Sequence, residues 1–317
     1  MRNATAHAGS GPVPWLVRGG WFSVATGGAA ILIPLVMVAL VIGLALASWP
    51  AMKAFGPGFL ASSHWNPATD RFGAAASLYG TLASSAIAMF LTVPLAFFIA
   101  VFLTEFAPSW LRAPVRYAIE TLASIPSIIY GMWGLFVLAP MLADPVQPWL
   151  RDHFGFIPLF SGPPIGIGMM TAGIILALMI LPYMTSILRD VLYLVPPDLR
   201  ESAYGMGSTS WEVTWRIHRR YAASGIFGAF VLGLGRAIGE TMAVTFVIGN
   251  NQGIHADLFS PATTIAATLA NEFTEASEDL YLSSLFELGL ILLLVDMLVV
   301  LAGQWWLRSI EKRRVGA

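Results

Sequence analysis

The chain has 317 residues, of which 57% are hydrophobic and only 11% are charged. Soluble domains carry about 25% charged residues, so this composition excludes an ordinary soluble protein and predicts a polytopic membrane protein. The sequence has no cysteine, which excludes disulfides and thiolate metal sites, and its net charge of −1 identifies no binding partner.

The N-terminal residues differ in character from the rest of the chain. Residues 1–22 are polar and rich in Gly, Ala and Pro, and we expect a largely disordered cytoplasmic tail. The first apolar block begins near Ser23 and is too long and too late for a cleavable signal, so it predicts a signal-anchor span. We therefore expect a first span with its external loop over 23–76, a transmembrane domain over 77–307, and a cytoplasmic tail over 308–317.

Six apolar blocks are long enough to cross about 30 Å of hydrocarbon as helices. Their approximate bounds are 26–49, 77–104, 117–141, 165–188, 223–249 and 284–307. Four prolines inside these blocks are expected to kink the helices, namely Pro34, Pro94, Pro126 and Pro182. The predicted fold is all-α, a membrane protein with six transmembrane helices.

Lysine and arginine are unevenly distributed over the loops and tails. With the N-terminus inside the cell, the external segments hold Lys53, Arg71 and Arg151. The cytoplasmic segments then hold thirteen, namely Arg2, Arg18, Arg112, Arg116, Arg189, Arg200, Arg216, Arg219, Arg220, Arg308, Lys312, Arg313 and Arg314. This positive-inside asymmetry predicts that both termini, and the loop after the fourth span, are cytoplasmic.

That loop, residues 198–221, is the longest polar interval on the predicted cytoplasmic side. Two consecutive prolines precede it, and Asp198 followed by Glu201 resembles a capping box that begins a helix. We expect a first short helix from here.

A second short helix is expected after Gly207, which breaks the first one. Thr209 and Glu212 repeat the capping-box spacing, and Trp211 and Trp215 fall on one helix face. Paired caps and two aromatic side chains favour a docking surface. A passive connecting loop is the alternative interpretation.

Five ionisable residues lie within or at the edges of the predicted spans: Glu120, Arg236, Glu240, Glu287 and Asp296. A central Arg or Asp costs about 2.5–3.5 kcal/mol even on the lenient insertion scale, so each is expected to have a partner or a function.

Arg236 lies in the middle of the fifth block, where Glu240 follows at i+4 on the same helix face. One interpretation is an ion pair of Arg236 with Glu240, or with Glu287 or Asp296 on the last span. The other places Arg236 on a polar pathway, where its planar, permanently charged guanidinium suits an oxyanion.

Other chemistry is not indicated. Neither Lys53 nor Lys312 lies in a Gly-x-x-x-x-Gly-Lys-Ser/Thr loop, so the chain itself is not expected to bind ATP or any cofactor. The five histidines are scattered over tails and loops without ligand spacing, and we expect solvated side chains and no metal site: His7, His64, His153, His218 and His255. No nucleophile with an adjacent base appears, so we expect no catalytic activity.

Part of the polar loop resembles the Glu-Ala-Ala loop of ABC-importer permeases. The matching residues are Glu201, Ser202, Ala203, Gly207 and Ile217. The resemblance implies that these residues form coupling helices in a groove of an ATP-binding subunit, which would carry the ATP and Mg²⁺. The sequence departs from the family in having Arg-Arg at 219–220 in place of Leu-Pro, which removes a helix breaker before the next span.

Four runs resemble PstC-type permeases of phosphate ABC importers, which belong to the binding-protein-dependent transport system inner-membrane components. They are ASIPSIIYGMWG at 123–134, GRAIGETMAV at 235–244, ANEF at 270–273 and ELGL at 287–290. In that family the residues matching Arg236 and Glu240 are tied to phosphate passage, and the resemblance implies the same roles here.

The resemblance also implies partners and a location. These are a homologous second permease of the PstA type, an ATPase dimer of the PstB type, a periplasmic phosphate-binding protein of the PstS type, phosphate, and the lipids of a bacterial inner membrane. No nucleic-acid partner is expected.

Two other functions remain as alternatives at this point. An ATPase-independent anion channel or secondary transporter could use the same arginine for selectivity, although no internal repeat is evident. A membrane-bound regulator could use the polar loop as a helix-turn-helix, but both ends of the loop are tethered to spans.

Overall fold

The computed structural model describes residues 20–315, which are mainly helical and contain no β-strand, with two isolated bridges between loops. The helices are α1 Gly20–Ala47, α2 Trp49–Phe55, α3 Gly58–Ala61, α4 Ala75–Val101, α5 Ser109–Ala123, α6 Ser127–Trp133, α7 Ala139–Met141, α8 Gln147–Phe154, α9 Met169–Tyr193, α10 Pro197–Gly205, α11 Ser210–Glu212, α12 Arg219–Tyr221, α13 Ala223–Ile238, α14 Met242–Ile248, α15 Ile265–Glu272 and α16 Asp279–Val315. Four π-helical segments join some of them, at Phe102–Phe106, Gly134–Leu138, Leu142–Val146 and Val213–His218. The all-α prediction is confirmed for the described residues.

Five helical stretches of the described chain are long and apolar enough to cross a membrane: Trp21–Ala47, Ala75–Phe106, Ser127–Phe154, Met169–Tyr193 and Asp279–Ser309. A sixth is obtained if Ser210–Tyr221 and Ala223–Ile238 count as one span with a bend of 74°. Five of the six predicted blocks overlap these five stretches, one of which is kinked at Asp144, and the block 223–249 overlaps the bent pair.

The third predicted span, 117–141, is wrong in its bounds. α5 ends at Ala123 and α6 begins at Ser127, so a break at Pro126 divides that block in two. Proline removes a backbone donor and its ring clashes with the preceding turn, which ends the helix there. The apolar stretch that can span instead runs to Phe154. By contrast, α1, α4 and α9 continue through their prolines.

The fifth predicted span, 223–249, is also interrupted. α13 ends at Ile238, the segment Gly239–Thr241 is not helical, and α14 covers only the seven residues that follow. The break falls in the middle of the apolar block, and it places charged residues beside a discontinuity in a membrane helix.

The core is built around α9, the most buried of the candidate spans. α4, α5, α13 and α14 pack against it, and its fully buried residues include Ile175, Ile180, Met184 and Leu188. Burial of each such side chain contributes about 1.5–3 kcal/mol. α1 differs, because its main helix contacts are with α16 and α2 and its most apolar stretch is not buried.

A second cluster lies at the end of the molecule where α1 is followed by short helices. Phe59 and Phe72 pack with Tyr281 and Leu285 of α16, and the Phe72 and Tyr281 rings stack with centroids 5.3 Å apart. This cluster fixes the loop after the first span on the last helix.

The described residues include only the ends of the two predicted tails. α1 begins at Gly20, so the last residues of the predicted tail 1–22 are helical and the others lie outside the described residues. The predicted tail 308–317 is, as far as Val315, a continuation of α16.

Gly80 on α4 allows the closest contact between a helix and the loop before α15. A Cβ at this position would lie 1.8 Å from the carbonyl oxygen of Thr263, a separation that no side-chain adjustment can relieve. We expect Gly80→Ala to destabilise the protein by about 1–3 kcal/mol through overpacking.

Thermal denaturation of the purified protein in detergent would measure this effect. Gly28→Ala is the matched control, because a Cβ at Gly28 would meet nothing within 4 Å. A Gly80→Ala protein as stable as the control would contradict the close packing of α4.

Candidate functional site

Arg236 lies in the last turn of α13, immediately before the break in that membrane helix. Its side chain is exposed at the surface of this chain, and its guanidinium lies 5.2 Å from the ring centroid of Tyr183 on α9. A guanidinium over an aromatic face is attracted by the ring quadrupole. Because the ring carries no net charge, the positive charge of Arg236 is not neutralised by this contact. No carboxylate of the described chain forms an ion pair with Arg236 within 4.0 Å.

The predicted shared face of Arg236 and Glu240 is wrong, because α13 ends at Ile238 and Glu240 lies beyond it. Glu240 Oε1 instead accepts a hydrogen bond from the backbone N–H of Ala243, at 3.2 Å, in the first turn of α14. A carboxylate at this position stabilises the free N–H groups of a helix start. Its other oxygen makes no hydrogen bond to any described residue.

The two acidic residues of α16 do not pair with Arg236 either. Asp296 Oδ1 lies against α13, so close that a Cβ at Gly235 would be 3.1 Å away. Asp296 Oδ1 and Glu287 Oε2 are buried and make no hydrogen bond among the described residues. Gly235 thus allows α16 to approach α13 closely, whereas a Cβ at Gly239 would meet no other helix within 4 Å.

Glu120 was predicted at the edge of a span, but it lies on α5, which is not one of the candidate spans. Its Oε1 is 3.3 Å from Arg116 Nε and 3.5 Å from Nη1 of Arg189 on α9. Glu120 therefore joins two helices electrostatically and does not belong to the site around α13.

The second half of the polar loop forms as predicted. Gly207 has φ +84°, a conformation that favours glycine, and it ends the first helix. Thr209 and Glu212 form a complete capping box, in which each side chain accepts a hydrogen bond from the other residue's backbone N–H. The rings of Trp211 and Trp215 stack 5.9 Å apart and both are exposed, so they form an apolar surface at the tip of the loop.

The first half of the loop starts differently from the prediction. Pro196 is the N-cap of α10, so Asp198 lies inside the first turn and makes no capping box with Glu201. Glu201 and Ser202 are exposed, whereas Ala203 is buried. Of the five residues predicted to couple to an ATPase, these are the first three, and two of them are accessible while Ala203 is buried.

The chain leaves the loop through a bend of 74° near Ala222. Ile217 packs against the main core before the bend, and Arg219 lies over Trp215 with its guanidinium 4.3 Å from the ring centroid. Arg220 is exposed. The chain therefore bends here although Arg219 and Arg220 stand in place of the family's Leu-Pro.

We refer to residues 197–221, which contain the residues predicted to couple to an ATPase, as the coupling hairpin.

The coupling hairpin is fixed to the transmembrane domain by a buried carboxylate that the sequence analysis missed. Glu105, in the π-helical segment after α4, has a side chain only 1% exposed. Arg200 of α10 lies 3.2 Å from its Oε1, and the Tyr204 hydroxyl is 3.4 Å from its Oε2. His218 Nδ1, from the second half of the hairpin, is 3.5 Å from Oε1. One carboxylate therefore contacts both halves of the hairpin.

The prediction that His218 is solvated is wrong, because its side chain is 1% exposed. Neither of its ring nitrogens makes a hydrogen bond to a described residue. Only a three-dimensional structure brings His218 and Glu105 together, since 113 positions separate them in sequence. The only signal in the sequence was that Glu105, a charged residue, directly follows the apolar block 77–104.

A second carboxylate joins several elements at the opposite end of the molecule. Glu272, in the ANEF run at the end of α15, accepts hydrogen bonds from the Trp65 indole N–H, at 2.9 Å, and from the Tyr281 hydroxyl. These contacts join the loop after the first span, α15 and α16. Among the described residues, no group of three or more His, Asp or Glu side chains is placed to hold a metal ion.

Comparison with known proteins identifies the architecture. The family model described as "Binding-protein-dependent transport system inner membrane component" matches residues 92–316. The crystal structure of a bacterial alginate ABC transporter, in complex with its alginate-bound periplasmic protein, contains a chain that aligns with a TM-score of 0.60. That chain is 16% identical, and the alignment covers 89% of the present chain and 94% of the other, which establishes similarity of fold alone.

Curated relatives are much more similar in sequence. "Phosphate transport system permease protein PstC" of Mesorhizobium japonicum is 54% identical, over 92% of this chain and 90% of the relative. The protein of the same name from Pasteurella multocida is 50% identical, over 90% of each chain. The chain therefore belongs to the family of binding-protein-dependent transport system inner membrane components and, within it, to the PstC group of permeases.

Proposed function

We propose that this chain is one of two permease subunits of an ATP-driven importer of inorganic phosphate in a bacterial inner membrane. It forms half of the pathway and is driven by a separate ATPase dimer of the PstB type. A homologous PstA-type permease supplies the other half, and a PstS-type binding protein delivers phosphate from the periplasm. The observation that carries the proposal is the exposed, unpaired guanidinium of Arg236 at a broken membrane helix.

Arg236 is suited to an oxyanion because no carboxylate in the described part of the chain pairs with its charge. A guanidinium offers five N–H donors and stays protonated at any physiological pH. The Tyr183 ring lies against the guanidinium but does not neutralise its charge. An anion that loses part of its hydration in the pathway would therefore find a compensating charge here, and the exposed position allows contact with a second permease.

Glu240 is proposed to act beside Arg236. Because one of its carboxylate oxygens caps α14, the other can accept a hydrogen bond. Hydrogen phosphate carries a proton that it can donate to a carboxylate, whereas fully ionised sulfate has none. Glu240 would thus favour phosphate, and it would repel an oxyanion that cannot donate.

The coupling hairpin is the proposed contact with the ATPase. Glu201 and Ser202 are exposed on α10, and the two stacked tryptophans add an apolar surface of the kind that marks protein interfaces. Gly207 provides the turn that ends the first short helix, and Ile217 packs against the main core. This role requires the hairpin to be cytoplasmic, as the arginine distribution predicts.

We expect a single cysteine introduced by Ser202→Cys to react with a membrane-impermeant maleimide only from the cytoplasmic side. The native chain has no cysteine, so every labelled site is the introduced one. Assembly with the ATPase dimer should protect Ser202→Cys from labelling.

Ser277→Cys is the control for this measurement. Ser277 is exposed near the N-terminus of α16, at the opposite end of the molecule, and should label only from outside. Labelling of Ser202→Cys from outside, or unchanged labelling in the assembled complex, would disprove the coupling role.

We expect Arg236→Gln to lower phosphate uptake by the reconstituted complex on the order of 10- to 100-fold, the range that corresponds to one lost hydrogen bond to a charged group. Arg308→Gln, an exposed arginine outside the site, should transport normally. Uptake of radioactive phosphate into vesicles, with ATP inside them, measures both.

Uptake by Arg236→Gln equal to that of Arg308→Gln would remove Arg236 from the pathway. Uptake that persists without the ATPase subunits would instead support an independent channel or secondary transporter. Assembly of each variant complex is checked by size-exclusion chromatography.

We expect Glu105→Gln to reduce the phosphate transported per ATP hydrolysed, because the hairpin would lose its charged contact with α4. Removing one partner of a buried ion pair costs about 3–5 kcal/mol. The effect should be at the lower end of this range, since the Arg200 side chain is 31% exposed.

The double variant Glu105→Gln/Arg200→Gln separates this role from simple destabilisation. If the two residues act as a pair, the double variant should be less impaired than the sum of the single variants. Strictly additive losses in the transport-to-ATP ratio would argue against Glu105 as the joint.

A further inference from the structure

A polar cavity of about 310 Å³ lies beside α5 and the end of α9, on the same side of the molecule as the coupling hairpin. Its polar lining comes from Ser109, Arg112 and Arg116 on one helix and Arg189, Asp190 and Tyr193 on the other. Leu103, two residues before Glu105, also lines it. None of these groups takes part in the site around Arg236.

Positive charge is in excess in this cavity. Arg189 is only 8% exposed, its Nε and Nη2 bind Asp190, and its Nη1 makes no hydrogen bond although it lies 3.5 Å from Glu120. Arg116 shares the same Glu120 carboxylate. Arg112 uses Nε for the carbonyl of Ala107 and forms no ion pair with any described residue. Three guanidinium groups therefore share two carboxylates.

An apolar cavity of about 710 Å³ is lined by the adjoining turns of the same two helices. Ile119 and Leu122 continue α5 beyond Arg116, and Leu181 and Thr185 precede Arg189 on α9. The two cavities are separated by one helical turn, at Arg116–Ile119 and Thr185–Arg189. A cationic pocket that adjoins an apolar groove matches a molecule with an anionic head and a hydrocarbon tail.

We propose that these two cavities together bind one anionic phospholipid. The phosphate group lies among Arg112, Arg116 and Arg189, and an acyl chain lies in the apolar cavity. Basic pockets between membrane helices on the cytoplasmic side are suited to such head groups. Trp110 and Tyr193 are exposed near the polar cavity, as is usual for aromatic residues at a membrane interface.

Three competing occupants are less well matched. Free inorganic phosphate would use the arginines but would leave the apolar cavity unexplained. A helix of the second permease would fill the apolar cavity but would leave Arg112 without a counter-charge. A zwitterionic lipid has the tail but lacks the net negative charge. The inference does not depend on which substrate the transporter carries.

Native mass spectrometry of the whole purified complex, titrated with phosphatidylglycerol or with phosphatidylcholine of the same chains, tests the proposal. We expect one phosphatidylglycerol bound in preference to phosphatidylcholine. Arg112→Gln should weaken its binding about fivefold, and Arg112→Gln/Arg116→Gln about 25-fold, from the contribution of each basic residue near an anionic lipid. Arg308→Gln, an exposed arginine on α16, is the control and should bind as the native complex does.

The apolar cavity is tested separately by Ala118→Trp, because Ala118 lines this cavity and is exposed within it. The added ring should reduce binding of phosphatidylglycerol at least as strongly as loss of one arginine does. Thermal stability measured without added lipid shows that each variant complex is folded.

Several results would overturn the proposal. Equal losses in Arg112→Gln and Arg308→Gln would show only general attraction to anionic lipid. Displacement of the lipid by millimolar inorganic phosphate, together with unchanged binding in Ala118→Trp, would identify free phosphate as the ligand. A cross-link from Ala118→Cys to a cysteine in a helix of the second permease would show that protein fills the cavity.

Discussion

A permanent positive charge within a membrane domain is the constraint on which the rest of this structure depends. Insertion of an arginine costs about 2.5–3.5 kcal/mol on the lenient scale, and no carboxylate among residues 20–315 forms an ion pair with Arg236. The nearby acids do not pair with Arg236. Glu240 accepts a hydrogen bond from the first turn of α14, and Asp296 packs against Gly235 of α13. A break in the helix follows the guanidinium and an aromatic ring lies against it, and neither removes its charge.

The second organising feature is the short path between this charge and the coupling hairpin. The hairpin's second half leads through one bend into α13, whose last turn carries Arg236. The hairpin's first half is held to the end of α4 by Glu105. A displacement of the hairpin is therefore conveyed to two transmembrane helices at once, one directly through the backbone and one through a buried ionic contact.

Local patterns in the sequence predicted the features that local interactions decide. The Thr209–Glu212 capping box, the stacked tryptophans and the helix-ending Gly207 depend on residues within one or two turns of each other. The number of apolar blocks was also predicted correctly, since hydropathy requires no knowledge of packing.

The failures came from breaks and from long-range contacts. An apolar run does not show where a helix ends, so the predicted kink at Pro126 was not recognised as the boundary between two helices, and the break at Gly239 was missed. Spacing at i,i+4 implied a shared face for Arg236 and Glu240, which the second break removes. His218 was assigned to solvent because the residue that buries with it lies in a distant part of the chain.

The bend at Ala222 has a mechanical consequence. Where the permease family places a proline before the span, this chain has Arg219 and Arg220, and the turn of 74° is held by neighbouring side chains and no rigid ring. The stiffness of this joint is accordingly set by packing around Ile217 and His218. Substitutions in its surroundings would therefore make this joint stiffer or looser, which a fixed proline ring would not allow.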